Sequence, residues 1–153
     1  MKKIIFFALL ALTFASCKSN VVFEQRNDLK LNWAQDNVQK FETGELASGT
    51  HYDSKIVIRY ASNYPFNLLT LAAKIEMPDG SIQTKSIDLE MKDKDGKNIG
   101  DGLGDIWDIE TPLLEDFVMT QTGKVKIELA HTMESHPKVP LLMKIGVVIS
   151  NKQ

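Results

Sequence analysis

The length, composition and charge of this chain are those of one ordinary globular domain. It has 153 residues, 43% hydrophobic and 25% charged, and its 18 basic and 20 acidic side chains give a net charge of −2. That charge supplies no basic surface for phosphates, which argues against a DNA- or RNA-binding protein, and the single cysteine excludes a disulfide framework and a cysteine-based zinc cluster.

The first sixteen residues have the pattern of a secretory signal. Lys2 and Lys3 form a positive head, and an unbroken apolar run follows at 4–12. A membrane-spanning helix needs about 20 apolar residues, roughly twice the length of this run. We therefore predict that residues 1–16 are a cleaved signal peptide and that residues 17–153 form the mature protein.

Cys17 is predicted to carry a lipid anchor. Ala15 and Ser16 are small, and with the cysteine they resemble a bacterial lipobox, although Phe14 stands where an aliphatic residue is usual. In such proteins diacylglycerol alkylates the thiol and an acyl chain usually caps the amino group, whereas a single chain binds membranes only marginally. The alternative is an ordinary secretory signal, which would leave a free thiol in an oxidising compartment. Apart from these lipids, no cofactor is predicted.

The mature chain is more acidic than its precursor. Removal of residues 1–16 takes away Lys2 and Lys3 and no acidic residue, which lowers the net charge from −2 to −4. This sign repels anionic headgroups and fits a domain that stands off the membrane surface. Lys18 and Ser19 occupy the place of the aspartate that retains enteric lipoproteins in the inner membrane. By analogy, we expect an outer-membrane protein facing the periplasm.

After Cys17 the sequence has the periodicity of β-strands. Apolar residues recur in steps of two, as at Ile56, Ile58 and Tyr60. Roughly eight strands are predicted in chain order, at 21–25, 38–46, 55–60, 69–77, 82–91, 117–120, 125–131 and 141–149. Because sheets with one apolar face bury those faces against each other, we predict an all-β fold, a single antiparallel β-sandwich of Greek-key or jelly-roll type.

Three local patterns add detail to these elements. Residues 77–80, Met-Pro-Asp-Gly, predict a tight hairpin turn. The apolar positions of the following strand change parity, which predicts a bulge near Lys85 or Ser86. Thr111 can cap a single helical turn at 112–117, which begins with a proline.

The segment 92–108 is rich in glycine and aspartate and is predicted to be a long surface loop. Its glycines have neither the spacing of an EF-hand calcium loop nor that of a dinucleotide-binding fingerprint. A nonstandard calcium site from Asp101, Asp105 and Asp108 stays open as an alternative. In the simpler interpretation, the apolar side chains of the loop pack back onto the sandwich; these are Leu103, Ile106 and Trp107.

The sequence offers no catalytic signature. His51, His131 and His136 lack the spacing of a zinc site on one helix, and a lipid-modified Cys17 cannot act as a nucleophile. We therefore predict a protein that is not an enzyme. Four aromatic residues form either a sugar-binding platform or part of the core, and the core is favoured; they are Tyr52, Tyr60, Tyr64 and Phe66.

Several short blocks, in order, resemble the GldH family of gliding-motility lipoproteins. They are Val22-Phe23-Glu24, Trp33, the block 63–68, the hairpin 78–80, the glycine-rich stretch 100–106 with Trp107-Asp108, and the strand 123–130. Family members often carry tyrosine where this chain has Trp107. The resemblance implies an accessory lipoprotein that works beside other lipoproteins of the gliding and type IX secretion apparatus, and it implies no known reaction.

Two functions are therefore considered. The first is a lipid-anchored assembly component of the gliding machinery, bound to the membrane through its lipid and in contact with other envelope proteins. The second is an envelope-displayed sandwich that binds a sugar or a peptide. The candidate partner surface consists of Tyr64, Pro65, Phe66, Leu103, Asp105, Trp107 and Asp108.

Overall fold

A computed structural model describes residues 20–152, and within that range the chain forms strands and no helix. The predicted signal peptide and Cys17 lie outside the described residues. In chain order the eleven strands are β1 (Val21–Asp28), β2 (Asn32–Ala34), β3 (Gln39–Glu42), β4 (His51–Ala61), β5 (Leu68–Glu76), β6 (Ile82–Glu90), β7 (Asp101–Leu103), β8 (Ile106–Val118), β9 (Lys126–His131), β10 (Lys138–Pro140) and β11 (Leu142–Asn151). With no helix present, none of these residues forms a helix able to cross a membrane.

The strands form two antiparallel sheets that pack as an open sandwich, which confirms the predicted fold class. The first sheet has the order β1-β11-β4-β8-β7, and the second has the order β3-β9-β5-β6. A short ribbon of β2 and β10 accompanies them. The three-residue strands β2, β7 and β10 account for the difference between eleven strands and the roughly eight predicted, because they are too short to show a period.

Alternation along the central strands builds the core. On β4, Ile56, Ile58 and Tyr60 are almost fully buried, and on β5 Leu71 and Ile75 are completely buried. These side chains join one continuous apolar cluster between the sheets. Each fully buried aliphatic side chain contributes about 1.5–3 kcal/mol, so the period-two pattern supplies most of the driving force for the fold.

Polar side chains close one side of the sandwich. Asn27 on β1 donates from its amide nitrogen to the Gln39 side-chain oxygen at 3.2 Å and to the Lys40 carbonyl at 3.4 Å, and Gln25 also reaches that carbonyl at 3.4 Å. These contacts join the edge strand β1 of the first sheet to the edge strand β3 of the second. The two edges are thereby held together without a shared backbone ladder.

The predicted hairpin turn at 77–80 is present, but the predicted bulge in the strand after it is wrong. The Met77 amide donates to the Ser81 carbonyl at 2.9 Å, and the pairing of β5 with β6 then continues without a register shift. The parity change has another cause. Ile82 lies on the solvent side and is 58% exposed, while the half-buried Lys85 extends to donate to the Leu113 carbonyl at 2.8 Å.

The predicted helical turn at 112–117 is also wrong, because this segment continues β8. Two register shifts occur where it pairs with the start of β4. Asp116 has a φ of 51°, and its amide donates to the Asp53 carboxylate at 2.7 Å. Pro112 is tolerated because β7 pairs only with Ile106–Asp108, so no strand on that side needs the missing proline N–H.

His131 ends the inner face of β9 and makes stability depend on pH. The imidazole is 1% exposed and stands edge-on to Trp33, with ring centroids 5.4 Å apart. Burial lowers the pKa of His131 below its usual value. The folded state therefore binds this proton less readily than the unfolded chain, and stability falls as the pH drops below about 6.5.

The corresponding experiment compares the wild type with His131→Leu. We expect the midpoint of thermal unfolding of the wild type to fall between pH 8 and pH 5, and to fall less in the variant. Carboxylates held by ion pairs lose their contribution only at lower pH, so this window excludes them, and the comparison with the variant isolates His131. Equal shifts in the two proteins would show that His131 is not the responsible group.

Candidate functional site

The predicted glycine-rich loop is present at 92–100, where the structure has turns and one isolated bridge between Lys92 and Asn98, but 101–108 forms a β-hairpin at the edge of the first sheet. Leu103 pairs with Ile106 across a two-residue turn, Gly104-Asp105, and Asp101 pairs with Asp108 farther along. Gly104 has a φ of 63°, and glycine at the first turn position is typical of the type II′ hairpin. The hairpin is therefore ordered by backbone pairing and is not an irregular loop.

Two other glycines allow close packing within this hairpin. A Cβ atom on Gly102 would lie closer than 3 Å to the indole ring of Trp107, and one on Gly100 would collide with the Asp108 carbonyl. Trp107 is only half-buried, on the inner side of β8, and packs against the core. The glycine spacing of this segment thus reflects packing against β8.

The hairpin divides its apolar residues between two faces. Trp107 faces the core, as predicted, but Leu103 is 91% exposed and Ile106 is 42% exposed. The prediction that these two pack back onto the sandwich is wrong, because alternation along β7 and β8 places the pair on the outer face. Leu103 is the most exposed large apolar side chain among residues 20–152.

An ion pair fixes the outer face of the hairpin. Arg59 on β4 donates from Nε to Asp108 Oδ1 at 2.8 Å and from Nη2 to Oδ2 at 2.7 Å. The guanidinium lowers the pKa of Asp108, and the carboxylate raises the pKa of Arg59. Both side chains are about one-third exposed, so the pair contributes about 1 kcal/mol at most.

The same contacts argue against the calcium alternative. Both carboxylate oxygens of Asp108 are engaged by Arg59, and Asp105 lies at the tip of the turn. Among residues 20–152 there is no group of three histidine, cysteine or acidic side chains that could hold a metal ion. The arrangement of Asp101, Asp105 and Asp108 is that of a paired, solvated hairpin.

The corner at 64–66 lies beside the hairpin but is largely buried. The Ser62 amide donates to the Asp105 carbonyl at 2.9 Å, which brings together the two segments that the sequence singled out. Tyr64, however, is completely buried, and burial raises its pKa. Pro65 is exposed and Phe66 is half-buried. The prediction that Tyr64 belongs to a partner surface is therefore wrong, because its ring packs in the core.

Edge-on aromatic contacts connect this corner to its neighbours. The Tyr64 ring stands edge-on to Tyr60 and to Phe66, with centroids 5.9 and 5.5 Å apart, and Phe66 in turn contacts His136 at 4.6 Å. Tyr52 and Tyr60 are also buried. The interpretation of these aromatics as core is confirmed for the three tyrosines, and they do not form an exposed platform for a sugar.

The three histidines lie in unrelated environments. His51 Nδ1 lies 2.6 Å from Asp116 Oδ1 at an exposed site, His131 is buried beside Trp33, and His136 contacts the Glu134 carbonyl at 2.7 Å. Each of them therefore has different neighbours. Within residues 20–152 the fold does not bring these histidines together into a metal site.

Leu31 is a surface residue that sequence reasoning missed. It is 46% exposed, and both Leu31 and its neighbour Lys30 have positive φ values, 62° and 51°. The αL region normally favours glycine or asparagine, so no turn residue in the sequence marks this conformation. The strain is visible only in the backbone of the folded chain.

Comparison with known proteins agrees with this description. The GldH lipoprotein family matches residues 21–149 of the chain. The gliding motility lipoprotein GldH of Flavobacterium johnsoniae is 30% identical over 132 residues, 86% of this chain and 82% of that protein. A gliding motility lipoprotein GldH homolog of Christiangramia forsetii is 25% identical over 133 residues, 87% of this chain and 82% of that protein.

Among solved structures, the VP2 subviral particle of infectious bursal disease virus is similar with a TM-score of 0.43 and 11% identity. That likeness covers 89% of this chain and 33% of the viral one, and it is too weak to support any argument. The family match is much stronger evidence than this structural likeness, because it extends over almost every strand from β1 to β11. The chain belongs to the GldH lipoprotein family.

Proposed function

We propose that this protein is a non-enzymatic accessory component of the gliding machinery linked to type IX secretion. In this proposal lipids on Cys17 hold it in the outer membrane, and the sandwich faces the periplasm. Membership of a lipoprotein family supports the membrane association. The single observation that carries a contact role is Leu103, an apolar side chain 91% exposed at the tip of an ordered hairpin.

The energetics of the hairpin favour a contact surface over a disordered tip. The backbone pairing of β7 with β8, the indole against Gly102 and the Arg59–Asp108 pair all order the backbone of the hairpin that carries Leu103. A backbone that is already ordered loses little entropy when it binds a partner. Exposed single leucines are common, but one presented by an ordered hairpin is suited to specific contact.

The titratable groups support the non-enzymatic part of the proposal. The carboxylates with lowered pKa values are mostly held by neighbouring cations on the surface, as with Glu42 beside Lys124 and Asp116 beside Lys152. Catalytic sites instead gather such groups in a water-excluding cleft. Solvent-exposed ion pairs of this kind are typical of structural surfaces.

Leu103→Ser tests the contact role. We expect the free energy of unfolding to stay within about 0.5 kcal/mol of the wild type, because the side chain buries almost nothing. Colony spreading on agar and secretion of type IX cargo are expected to be impaired in a strain that carries only the variant. Ile82→Ser is the matched control, since Ile82 is also apolar and exposed but lies on the second sheet.

The two variants together decide between the possible roles. Impaired spreading with Leu103→Ser and normal spreading with Ile82→Ser is the expected result. Normal spreading with both variants would contradict a contact role for the hairpin. A fall in stability with Leu103→Ser would show that this side chain matters for folding.

A further inference from the structure

The position of Asn20 shows which end of the sandwich would lie beside a lipid anchor. The Asn151 amide donates to the Asn20 carbonyl at 2.8 Å, and the Asn20 side chain donates to the Asn151 carbonyl at 3.1 Å. Three residues of chain span at most about 11 Å, so a lipid on Cys17 places this end close to the bilayer. This step rests on the proposed function, because it requires the lipid.

Strand directions identify the other residues at that end, which we call the base. His51 pairs with Val118 at the start of β4. Thr120 then donates to Asp79 at 3.0 Å, which brings the β5–β6 turn to the same end. The base is defined by Asn20, His51, Asp79, Val118 and Asn151. Ile82, at the start of β6, also lies at this end.

The opposite end of β4 lies far from the base. Eleven residues of antiparallel strand extend for about 36 Å, and β4 runs from His51 at the base to Ala61. Ala61 pairs with Ile106, so the tip of the β7–β8 hairpin is at this far end. A molecule that stands upright on its base would therefore hold Leu103 well beyond the lipid headgroups.

Backbone hydrogen bonds arrange the far end as one row, which we call the distal rim. The Leu141 amide donates to the Leu31 carbonyl at 2.7 Å, and the Ala61 amide donates to the Leu141 carbonyl at 3.0 Å. The row continues through Ile106 to Leu103. At about 4.8 Å for each neighbouring strand, the rim of Leu31, Leu141, Ala61, Ile106 and Leu103 is about 20 Å wide.

Strained backbone occurs at two positions of this rim, at the exposed Leu31 and at Leu141, which packs partly against the core. Leu31 and Leu141 have φ values of 62° and 64°, a conformation that is costly for residues other than glycine. Leu31, Ile106 and Leu103 are 46%, 42% and 91% exposed. Strain and exposed apolar surface are both unfavourable for the isolated domain, and strained residues cluster at functional sites.

The surrounding charges indicate what kind of surface would bind here. Arg59 is neutralised by Asp108 beside the hairpin, and Lys30 and Lys144 lie near Asp28. Asp101 and Asp105 add two carboxylates at the hairpin, so the charges at this end are mixed. Neither sign dominates, so the rim is not built to attract a strongly charged partner. If the base faces the bilayer, the rim lies out of reach of the lipids, and its exposed leucine and isoleucine side chains fit an apolar protein surface.

We propose that the lipid-anchored molecule stands with its base toward the bilayer and that the distal rim docks an apolar patch on the periplasmic domain of another envelope protein. Attachment at the base sets the distance of the rim from the bilayer, and the rim makes the contact with the partner. Apolar docking of this kind depends little on salt, because no net charge is screened.

The orientation can be measured on the lipidated protein reconstituted in vesicles of phosphatidylcholine that contain a rhodamine-labelled lipid. Cys17 is the single cysteine of the chain, so with its thiol alkylated a donor dye can be attached uniquely to Leu103→Cys or to Val118→Cys. We expect strong energy transfer to the membrane from position 118 and loss of most of that transfer at position 103. Equal transfer from both positions would overturn the proposed orientation.

The docking surface is tested by recovering the lipidated protein from its own envelope in detergent. Leu103→Asp and Leu31→Asp are expected to reduce recovery of the protein that accompanies the wild type by about ten-fold, which corresponds to 1.4 kcal/mol. Val118→Asp and Ile82→Asp are base controls at apolar positions that are 44% and 58% exposed, and they are expected to leave recovery unchanged. Thermal unfolding of each variant checks that it is folded.

Four outcomes would overturn the docking proposal. Rim variants could retain the partner, base variants could lose it, or two differently tagged copies of this chain could recover each other, which would make a second copy the occupant. Loss of recovery as salt is raised would also contradict an apolar contact. These measurements do not use motility, so they stand apart from the test of a role in gliding.

Discussion

Replacing Trp33 by alanine is expected to destabilise the domain by about 3–5 kcal/mol, the range for truncating a buried large aromatic side chain. Trp33 is completely buried, pairs with Val139 in the β2–β10 ribbon, and contacts the His131 ring. Its indole Nε1 donates to the Asn37 carbonyl at 2.8 Å. Domains of this size have a free energy of unfolding of about 5–15 kcal/mol, so the substitution removes much of the stability of this one.

Unfolding in urea, followed by circular dichroism, measures this effect. Trp33→Phe keeps a ring in the cavity and removes the hydrogen bond, so a smaller loss of about 1–3 kcal/mol is expected. Ile82→Ala is the exposed control and should change stability by about 0.5 kcal/mol or less. A loss below about 1 kcal/mol with Trp33→Ala would mean that the short ribbon is not part of the cooperative core.

Replacing Gly102 by alanine is expected to destabilise the domain by about 1–3 kcal/mol, the usual range for overpacking. The added methyl group would lie closer than 3 Å to three atoms of the Trp107 indole. Either the indole leaves its place on the core or β7 separates from β8. Hydrogen exchange of the Leu103 and Ile106 amides is expected to quicken, because the hairpin then opens more often.

Two further variants separate this clash from a general effect of removing glycine. A methyl group added at Gly44 would have no atom within 4 Å, and Gly44 does not have a positive φ, so Gly44→Ala should be nearly neutral. In a Trp107→Leu background the Gly102→Ala substitution should cost much less, since the indole is gone. An equal cost in both backgrounds would exclude the indole as the cause.

The long strands could be predicted from the sequence because each has one buried face. On β9, Ile127, Leu129 and His131 are buried while their neighbours are not, as the period of two predicts. The same rule gave a wrong prediction at β6, where the inward-facing residue is the polar Lys85 and the outward-facing residue is the apolar Ile82. On an edge strand the identity of a side chain is a weak guide to the face on which it lies.

The candidate site was only partly predictable for a related reason. The glycines marked the hairpin correctly as unusual, but glycine indicates both a loop and close packing, and only the Trp107 contact distinguishes the two. Tyr64 was misassigned because its burial depends on Tyr60 and Phe66, which meet it only in the folded chain. Leu31 was missed because its left-handed backbone has no sequence signal.

The short segment before Asn20 is central to both proposals, since it carries Cys17 and fixes which end of the sandwich is the base. The most direct test is Cys17→Ser, expressed in the source bacterium with its signal peptide intact. We predict that the variant folds, leaves the membrane fraction for the soluble periplasmic fraction, and fails to support spreading. A Cys17→Ser protein that still sediments with the outer membrane, or that supports normal spreading, would contradict the proposal that a lipid on this residue anchors the domain.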